Sequence, residues 1–310
     1  MAWTTSQIPD LTGKVVVITG ANSGLGYEST KALSRTGAHV VMATRNVERG
    51  FAARDRIMND DPTASLEVVE LDLASIASLK RGAASILEAH PKIDILINNA
   101  GLMALPQQRT EDGFEMQFGV NHLGHWVLTA KLLPGLLSAE SARVVSVTSI
   151  ARLIGKPVDP KNPHLEGRYD PWRAYGQSKL ANYHFALGLQ RAFDKHGVPA
   201  TSNSAHPGLS RTNLQTRTVE EGGAGRSGPV SEWLAVKMGS DPAEGALPQL
   251  RAATDPSVLG GELFAPRYVS RGAPVRRPLV RNRSLDAAID RLWDVSVTET
   301  SVWFDFDAAT

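Results

Sequence analysis

Through the first two thirds of the chain, apolar runs of strand length alternate with stretches of helical periodicity. Val, Ile and Leu concentrate in six runs: Lys14 to Thr19, His39 to Ala43, Leu66 to Leu71, Ile93 to Ile97, Arg143 to Thr148 and Ala200 to Ala205. Near-continuous apolar runs of this kind mark strands covered on both faces. Between them the pattern predicts helices over Leu25 to Arg35, Val47 to Asn59, Ser75 to His90, Glu111 to Leu137 and Ala174 to His196. Each is long enough to carry the chain from one parallel strand to the next. With right-handed crossovers, the expected fold class is α/β: a Rossmann-type, doubly wound, mainly parallel seven-stranded sheet with helices on both faces. The seventh strand is placed over Gly260 to Ala265.

Two stretches interrupt the alternation. Gly155 to Trp172 is rich in Pro, Asp, Asn, His and Gly and reads as a loop. Leu209 to Asp241 is irregular around EGGAGRSGP, and a long loop of this kind in a compact domain is often a lid over a ligand. Beyond it, Pro242 to Ala253 reads as a helix, and Ser284 to Thr300 as an amphipathic helix packed outside the sheet.

Composition excludes more than it selects. Hydrophobic residues are 42% of the 310 and charged ones 21%, enough for a large core and unlike a disordered chain. Lys plus Arg total 33 against 32 Asp plus Glu, a balance that gives no global field to attract nucleic acid or an anionic membrane. There are no cysteines, which removes disulfides, thiolate metal sites and a cysteine nucleophile together. The N-terminal MAWTTSQIPD lacks the pattern of a signal peptide, and no 18-residue stretch is apolar enough to span a bilayer. The expectation is a cytoplasmic chain with no membrane anchor and no nucleic-acid partner. His122, His125 and His206 lack companions at metal-ligand spacing, so no metal is expected. Arg271, Arg276, Arg277, Arg281 and Arg283 fall in a Pro-interrupted basic stretch that reads as a solvated loop.

The segment TGANSGLG, Thr19 to Gly26, directly follows a strand and opens a helix. That context suits a phosphate, because glycines let the backbone approach it and the helix start offers unpaired N–H groups and a positive dipole end. Gly20, Gly24 and Gly26 serve the tight turn, the close approach and the helix-strand packing, with Asn22, Ser23 and Leu25 between them. After the second strand stand Thr44 and Arg45, where folds that bind NAD(H) place an acid on the ribose hydroxyls. A guanidinium there suits a 2′-phosphate instead, so NADP(H) is the expected cofactor and NAD(H) the alternative.

These motifs, taken with Asp72-Leu73, NNAG at Asn98 to Gly101, the Asn of NHLGH at Asn121, VVSVTS ending at Ser149, YGQSK at Tyr175 to Lys179 and HPG at His206 to Gly208, resemble the classical short-chain dehydrogenases/reductases over roughly Leu11 to Thr212. GFEMQFGVNHLGH and YGQSKLAN resemble the retinol-dehydrogenase-like and protochlorophyllide-reductase-like branch. The implied activity is hydride exchange between a nicotinamide and a carbonyl or alcohol carbon of a small-molecule substrate.

That chemistry needs a proton donor at the substrate oxygen, and a Tyr near pKa ~10 is poorly matched to neutral pH. Lys179, four residues after Tyr175, lies on the same helical face and is expected to lower that pKa. The resemblance adds that Lys179 binds the nicotinamide ribose. Ser149 is the candidate for polarising the carbonyl, chosen over Ser146 and Thr148 by its match to the family's paired hydroxyls. The resemblance gives Asn121 a water that relays protons, sets Asp72 and Leu73 at the adenine, Asn99, Ala100 and Gly101 at the adenosine ribose, and Pro207, Gly208, Leu209 and Thr212 at the carboxamide end. NNAG also suits bracing of the sheet. Trp126 is expected in packing, and Trp172 near the pocket. The 26 positions from Ser149 to Tyr175 imply an insertion at the site's mouth. A homo-oligomer through the Glu111 and Ala174 helices is usual in the family, although this branch also contains monomers. The whole chain, 1–310, reads as one domain: a cofactor-binding part about 11–208, a substrate loop about 209–241 and a C-terminal elaboration 242–310. Two rival readings are an NADPH-dependent C=C reductase and a non-catalytic NADP-binding sensor or scaffold.

Overall fold

The computed structural model describes residues 2–209, 240–279 and 283–307. Strands and helices alternate as the apolar pattern requires: β1 (Val15–Thr19), α1 (Gly24–Ser34), β2 (His39–Thr44), α2 (Val47–Asp60), β3 (Ser65–Glu70), α3 (Ile76–Ala89), β4 (Ile95–Asn98), α4 (Met116–Phe118), α5 (Gly124–Leu137), β5 (Arg143–Val147), α6 (Pro171–Lys195), β6 (Thr201–Ala205), α7 (Pro242–Thr254), β7 (Leu263–Pro266), β8 (Pro274–Arg277) and α8 (Arg283–Thr300). One sheet runs in the order β3-β2-β1-β4-β5-β6-β7-β8. Its first seven strands are parallel. The chain order reverses between β1 and β4, and a crevice at the carboxyl ends is expected beside that switch.

Successive strand residues point to opposite faces, and the core divides accordingly. Val17, Val41, Leu96 and Val144 pack beneath the face carrying α3, α5 and α6. Their neighbours Val16, Val40, Ile95 and Val145 meet α1 and α7 on the other.

Three expectations need correction. An eighth strand, β8, pairs antiparallel with β7, from Leu263 opposite Arg277 to Pro266 opposite Pro274. Arg276 and Arg277 therefore sit in a strand rather than a solvated loop: Arg276 pairs with Glu262 at 3.0 Å, and Arg277 donates to the Pro266 and Arg267 carbonyls. Arg281 lies outside the described residues. Next, the helix expected over Glu111 to Leu137 is broken. Gly113 turns at φ +87°, an isolated bridge joins Arg109 and Glu115, and helix starts only at Met116, where buried Glu115 accepts from the Gln117 and Phe118 amides. Five residues of π-helix, Gly119–Leu123, then precede α5. Finally, α6 begins at Pro171, capped by Asp170, so Trp172 is helical rather than in the preceding loop.

The C-terminal segment covers the outer face of α5 and α6. Trp293 meets the Trp126 ring edge-on at 4.7 Å between centroids and Phe304 does so at 4.8 Å, while the Trp126 indole donates to the Val302 carbonyl at 2.9 Å. Trp126 is thus a packing residue, as its sequence context implies. Gly188 is needed here, because a Cβ at that position would stand 2.3 Å from the Trp293 ring. No helix among the described residues is long and apolar enough to cross a membrane.

Candidate active site

A cavity of about 230 Å³ opens at the carboxyl ends of β1, β2, β4 and β5. The turn between β1 and α1 forms its floor, with Gly20, Asn22, Ser23, Gly24 and Leu25 on the wall. Gly20 and Gly24 adopt φ of +67° and +55°, which only glycine takes without strain. Gly26 lies behind the wall: a Cβ there would come within 2.3 Å of the Gly20 carbonyl oxygen, so its role is the close helix-strand approach. Ser23 is the N-cap of α1 but makes no side-chain cap bond, and no acid occupies the first turn. By contrast, α2, α3, α6 and α7 are capped by Asn46, Ser75, Asp170 and Asp241. The start of α1 therefore keeps its N–H groups and dipole for an anion.

Arg45 lines the same cavity and is exposed, and the described residues give it no acid partner. Asp72 and Leu73 share the wall, where the Asp72 carboxylate accepts the Ala74 amide at 2.9 Å. Asn99, Ala100 and Gly101 line it too. Their backbone is pinned by Thr19, whose hydroxyl accepts the amides of Asn99 at 2.9 Å and Ala100 at 3.0 Å. The Asn99 carboxamide donates to the Thr19 carbonyl at 2.8 Å, so NNAG braces the sheet as well as facing the cavity.

Tyr175 and Lys179 stand one turn apart on α6, both on the cavity wall, with the ammonium 5.9 Å from the phenol ring centroid. Lys179 Nζ donates to the Val147 carbonyl at 3.1 Å. Three hydroxyls competed in the sequence, and their fates differ. Ser146 points into the core without a partner. Thr148 donates to the Lys179 carbonyl at 2.6 Å. Ser149, just past β5, is hydrogen-bonded to the Tyr175 hydroxyl. Trp172 stands edge-on to Tyr175 at 6.1 Å, close to where its sequence context puts it.

Burial sets the protonation here. It pushes Tyr175 above its ordinary value, against the smaller downward pull of the Ser149 hydrogen bond, and lowers Lys179 to about 8. The expectation that Lys179 lowers the Tyr175 pKa is therefore not met by the protein groups alone, because removing the phenol from water outweighs its polar neighbours.

Asn121 lies in the π turn, off the cavity wall. Its carboxamide accepts the Leu102 amide at 2.7 Å and donates to the Leu102 carbonyl at 2.9 Å and to Ser178 at 2.8 Å. A Cβ on Gly101 would fall 3.0 Å from Asn121 Oδ1 and 3.1 Å from Lys179 Nζ, so carboxamide and ammonium converge on one glycine. His125 completes the frame. Its Nδ1 hydrogen faces the Asn121 carbonyl at 2.9 Å, leaving Nε2 to accept from the Thr19 hydroxyl at 2.9 Å. Burial holds His125 at about 4, hence neutral. Thr19 and His125 were missed in the sequence; the first ends a strand like any Thr, and only the fold brings the second to it.

Pro207, Gly208 and Leu209 are not on the cavity wall. They follow β6 and pack on the turn after β7: the Leu209 amide donates to the Ser270 carbonyl at 3.2 Å, and a Cβ on Gly208 would meet that oxygen at 2.4 Å. The Ser240 amide ties the same turn down by donating to the Leu209 carbonyl at 2.7 Å. Thr212, and most of the expected substrate loop, lie outside the described residues. Leu71, Leu102, Val120 and Val147 also line the cavity; as ordinary core-type residues they carried no signal in the sequence.

The comparisons with known proteins agree with this geometry. The family model described as short chain dehydrogenase matches residues 14–222. The chain belongs to the short-chain dehydrogenases. It is similar to retinol dehydrogenase 13 of Homo sapiens, 42% identical over 229 residues that make up 73% of this chain and 68% of that one. It is also similar to retinol dehydrogenase 14 of Mus musculus, 37% identical over 295 residues, 92% of this chain and 85% of the other. A crystal structure of a protein from Mycobacterium Paratuberculosis superposes with a TM-score of 0.79 at 36% identity, covering 99% of this chain and 100% of that one. This short-chain dehydrogenase is thus an oxidoreductase of the retinol-dehydrogenase-like branch, acting on CH–OH or C=O groups, and its family uses NAD(P)(H).

Proposed function

We propose that the protein is an NADP(H)-dependent oxidoreductase that interconverts a carbonyl and an alcohol on a lipophilic small molecule. The observation that carries this reading is the Ser149–Tyr175 hydrogen bond, set one helical turn from Lys179 on the wall of the glycine-loop cavity. The residues present fit a dinucleotide: Gly20 and Gly24 leave a cradle without side chains, and the uncapped start of α1 faces it. Its pyrophosphate would rest there, with Arg45 holding a 2′-phosphate and Asp72 and Leu73 beside the adenine. When bound, the nicotinamide supplies or takes up hydride.

The remaining roles belong to side chains of this chain. Tyr175 gives its phenolic proton to the carbonyl oxygen during reduction and takes one from the alcohol during oxidation. Ser149 donates to the same substrate oxygen as charge builds on it. Lys179, fixed by the Val147 carbonyl, presents its ammonium to the ribose and, as the substrate oxygen draws the phenol's proton away, stabilises the phenolate left behind. Asn121 holds the Leu102 backbone beside that ammonium and shapes the proton path from Lys179 outward. The apolar side chains of Leu71, Leu102, Val120 and Val147 on the cavity wall favour a lipophilic substrate.

A panel of aldehydes, ketones and alcohols, followed at the nicotinamide absorbance with NADPH and NADH, tests this reading. Turnover of an activated C=C bond in place of C=O would favour the rival reductase, which can use the same Tyr and Lys. Turnover of nothing, with NADPH still bound, would favour a sensor. We keep the cytoplasm as the proposed compartment, to be checked by cell fractionation. A homo-oligomer, if formed, needs a face other than α5 and α6, since α8 and the segment after it already occupy that one.

A further inference from the structure

At the end of the sheet opposite the cavity, three residues far apart in the chain converge: His39 at the start of β2, Glu67 in β3 and His90 at the C-cap of α3. One donor atom from each lies within 4.8 Å of the other two. Glu67 Oε2 is 2.7 Å from His90 Nε2 and 3.5 Å from His39 Nε2, and the two imidazole rings stand 4.7 Å apart.

The surroundings of His39 are the telling feature. Its Nδ1 is 2.7 Å from the Ser65 hydroxyl. The other ring nitrogen, Nε2, faces the Glu67 carboxylate at 3.5 Å. That Nε2 is buried and has no hydrogen-bond partner. A cation shared between that nitrogen and the carboxylate would satisfy both groups. A metal-ligating His commonly has its second nitrogen fixed in just this way by a neighbouring polar group.

We propose that His39, Glu67 and His90 bind one divalent transition-metal ion of the zinc class. Two imidazoles and one carboxylate are a donor set that suits zinc. Donor atoms around one tetrahedral zinc stand roughly 3.4 Å apart, given bonds of about 2.0–2.1 Å, and the present separations bracket that value, so small side-chain rotations complete the set. Three protein ligands leave the fourth position to water, as the partial exposure of all three side chains allows. The ion would tie β2, β3 and α3 together at the end of β2 remote from Arg45. Nothing in the sequence hints at it, because histidines this far apart form no spacing motif.

Calorimetric titration of the full chain with zinc, after removal of metals by a chelator, tests the site. The expected result is one ion per chain with micromolar affinity and a rise in Tm that a chelator reverses. His90→Gln and Glu67→Gln should each weaken binding at least tenfold while leaving the metal-free Tm within a few degrees of wild type. Cobalt should give the visible absorption of a low-coordinate ion in the wild type and lose it in His39→Asn. Unchanged zinc affinity and stoichiometry in the His39→Asn/His90→Gln chain, or no binding below about 1 mM, would overturn the proposal. NADPH affinity, measured in the same samples, separates this outcome from any failure of the nucleotide site.

Discussion

Ser149 hydrogen-bonds the Tyr175 hydroxyl, while Thr148, one residue earlier, spends its hydroxyl on the Lys179 carbonyl. Thr148 both lines the cavity and pins the helix that brings Tyr175 to it, while Ser149 stands off the wall and meets the cavity through the phenol. Tyr175→Phe should therefore lower kcat/KM by about 10²–10⁴, with NADPH affinity, read by fluorescence titration, within threefold of wild type. Thr148→Val should act differently, lowering Tm and disturbing both parameters together, because it frees α6 rather than removing a proton donor.

Arg45 faces the cavity with no acid among the described residues to neutralise it. Charge-assisted hydrogen bonds contribute about 1.5–3 kcal/mol, so Arg45→Asp should weaken NADPH binding by roughly ten- to a hundredfold and leave NADH binding little changed or improved. Equal loss for both nucleotides would assign Arg45 a structural role.

Gly26 tests the cradle from behind. Its added Cβ would meet the Gly20 carbonyl oxygen at 2.3 Å and the Asn99 carboxamide at 2.7 Å, neither of which can move without breaking the turn. Gly26→Ala should cost about 1–3 kcal/mol in urea denaturation and reduce nucleotide affinity, even though Ala is the better helix former.

Buried histidines set the acid limit. Burial lowers His122 to about 3 and His125, His184 and His206 to about 4, from an ordinary 6.5. Between pH 6.5 and about 4 the unfolded chain binds more protons than the native one, so stability is full above 6.5 and falls as the pH drops through that window. Each group adds up to about 1.4 kcal/mol per pH unit to the slope. Urea midpoints between pH 7 and 4.5 should show this fall, with a shallower slope in a well-folded His184→Gln variant.

The aromatic cover over α5 and α6 predicts that the chain does not associate through that face. Trp293→Ala should lower stability by about 3–5 kcal/mol, and light scattering should then detect association that the wild type lacks. A wild-type dimer dissociated by this substitution would refute the covering role.

The parallel sheet was legible because its strands read as unbroken Val, Ile and Leu runs, and the glycine loop because its special φ values demand glycine. Tyr175 and Lys179 were legible because one helical turn separates them. What escaped depended on groups brought together from afar. The π turn arises where Asn121 bonds the backbone of Leu102, a contact no local periodicity announces. β8 carries Pro and two Arg, poor strand formers in isolation, and exists because β7 offers it a ladder. Thr19 gains importance only once Asn99, Ala100 and His125 surround it, and burial, which raises Tyr175 despite nearby Lys179, cannot be read from spacing.

β8 has a consequence for the behaviour of the protein in a crowded solution. Without it, the Leu-Phe-Ala stretch of β7 would offer a bare row of backbone donors and acceptors onto which another molecule could zip. The antiparallel return occupies that row with a segment bearing two guanidiniums, so the fold carries its own guard against templated aggregation at the side where its parallel strands run out.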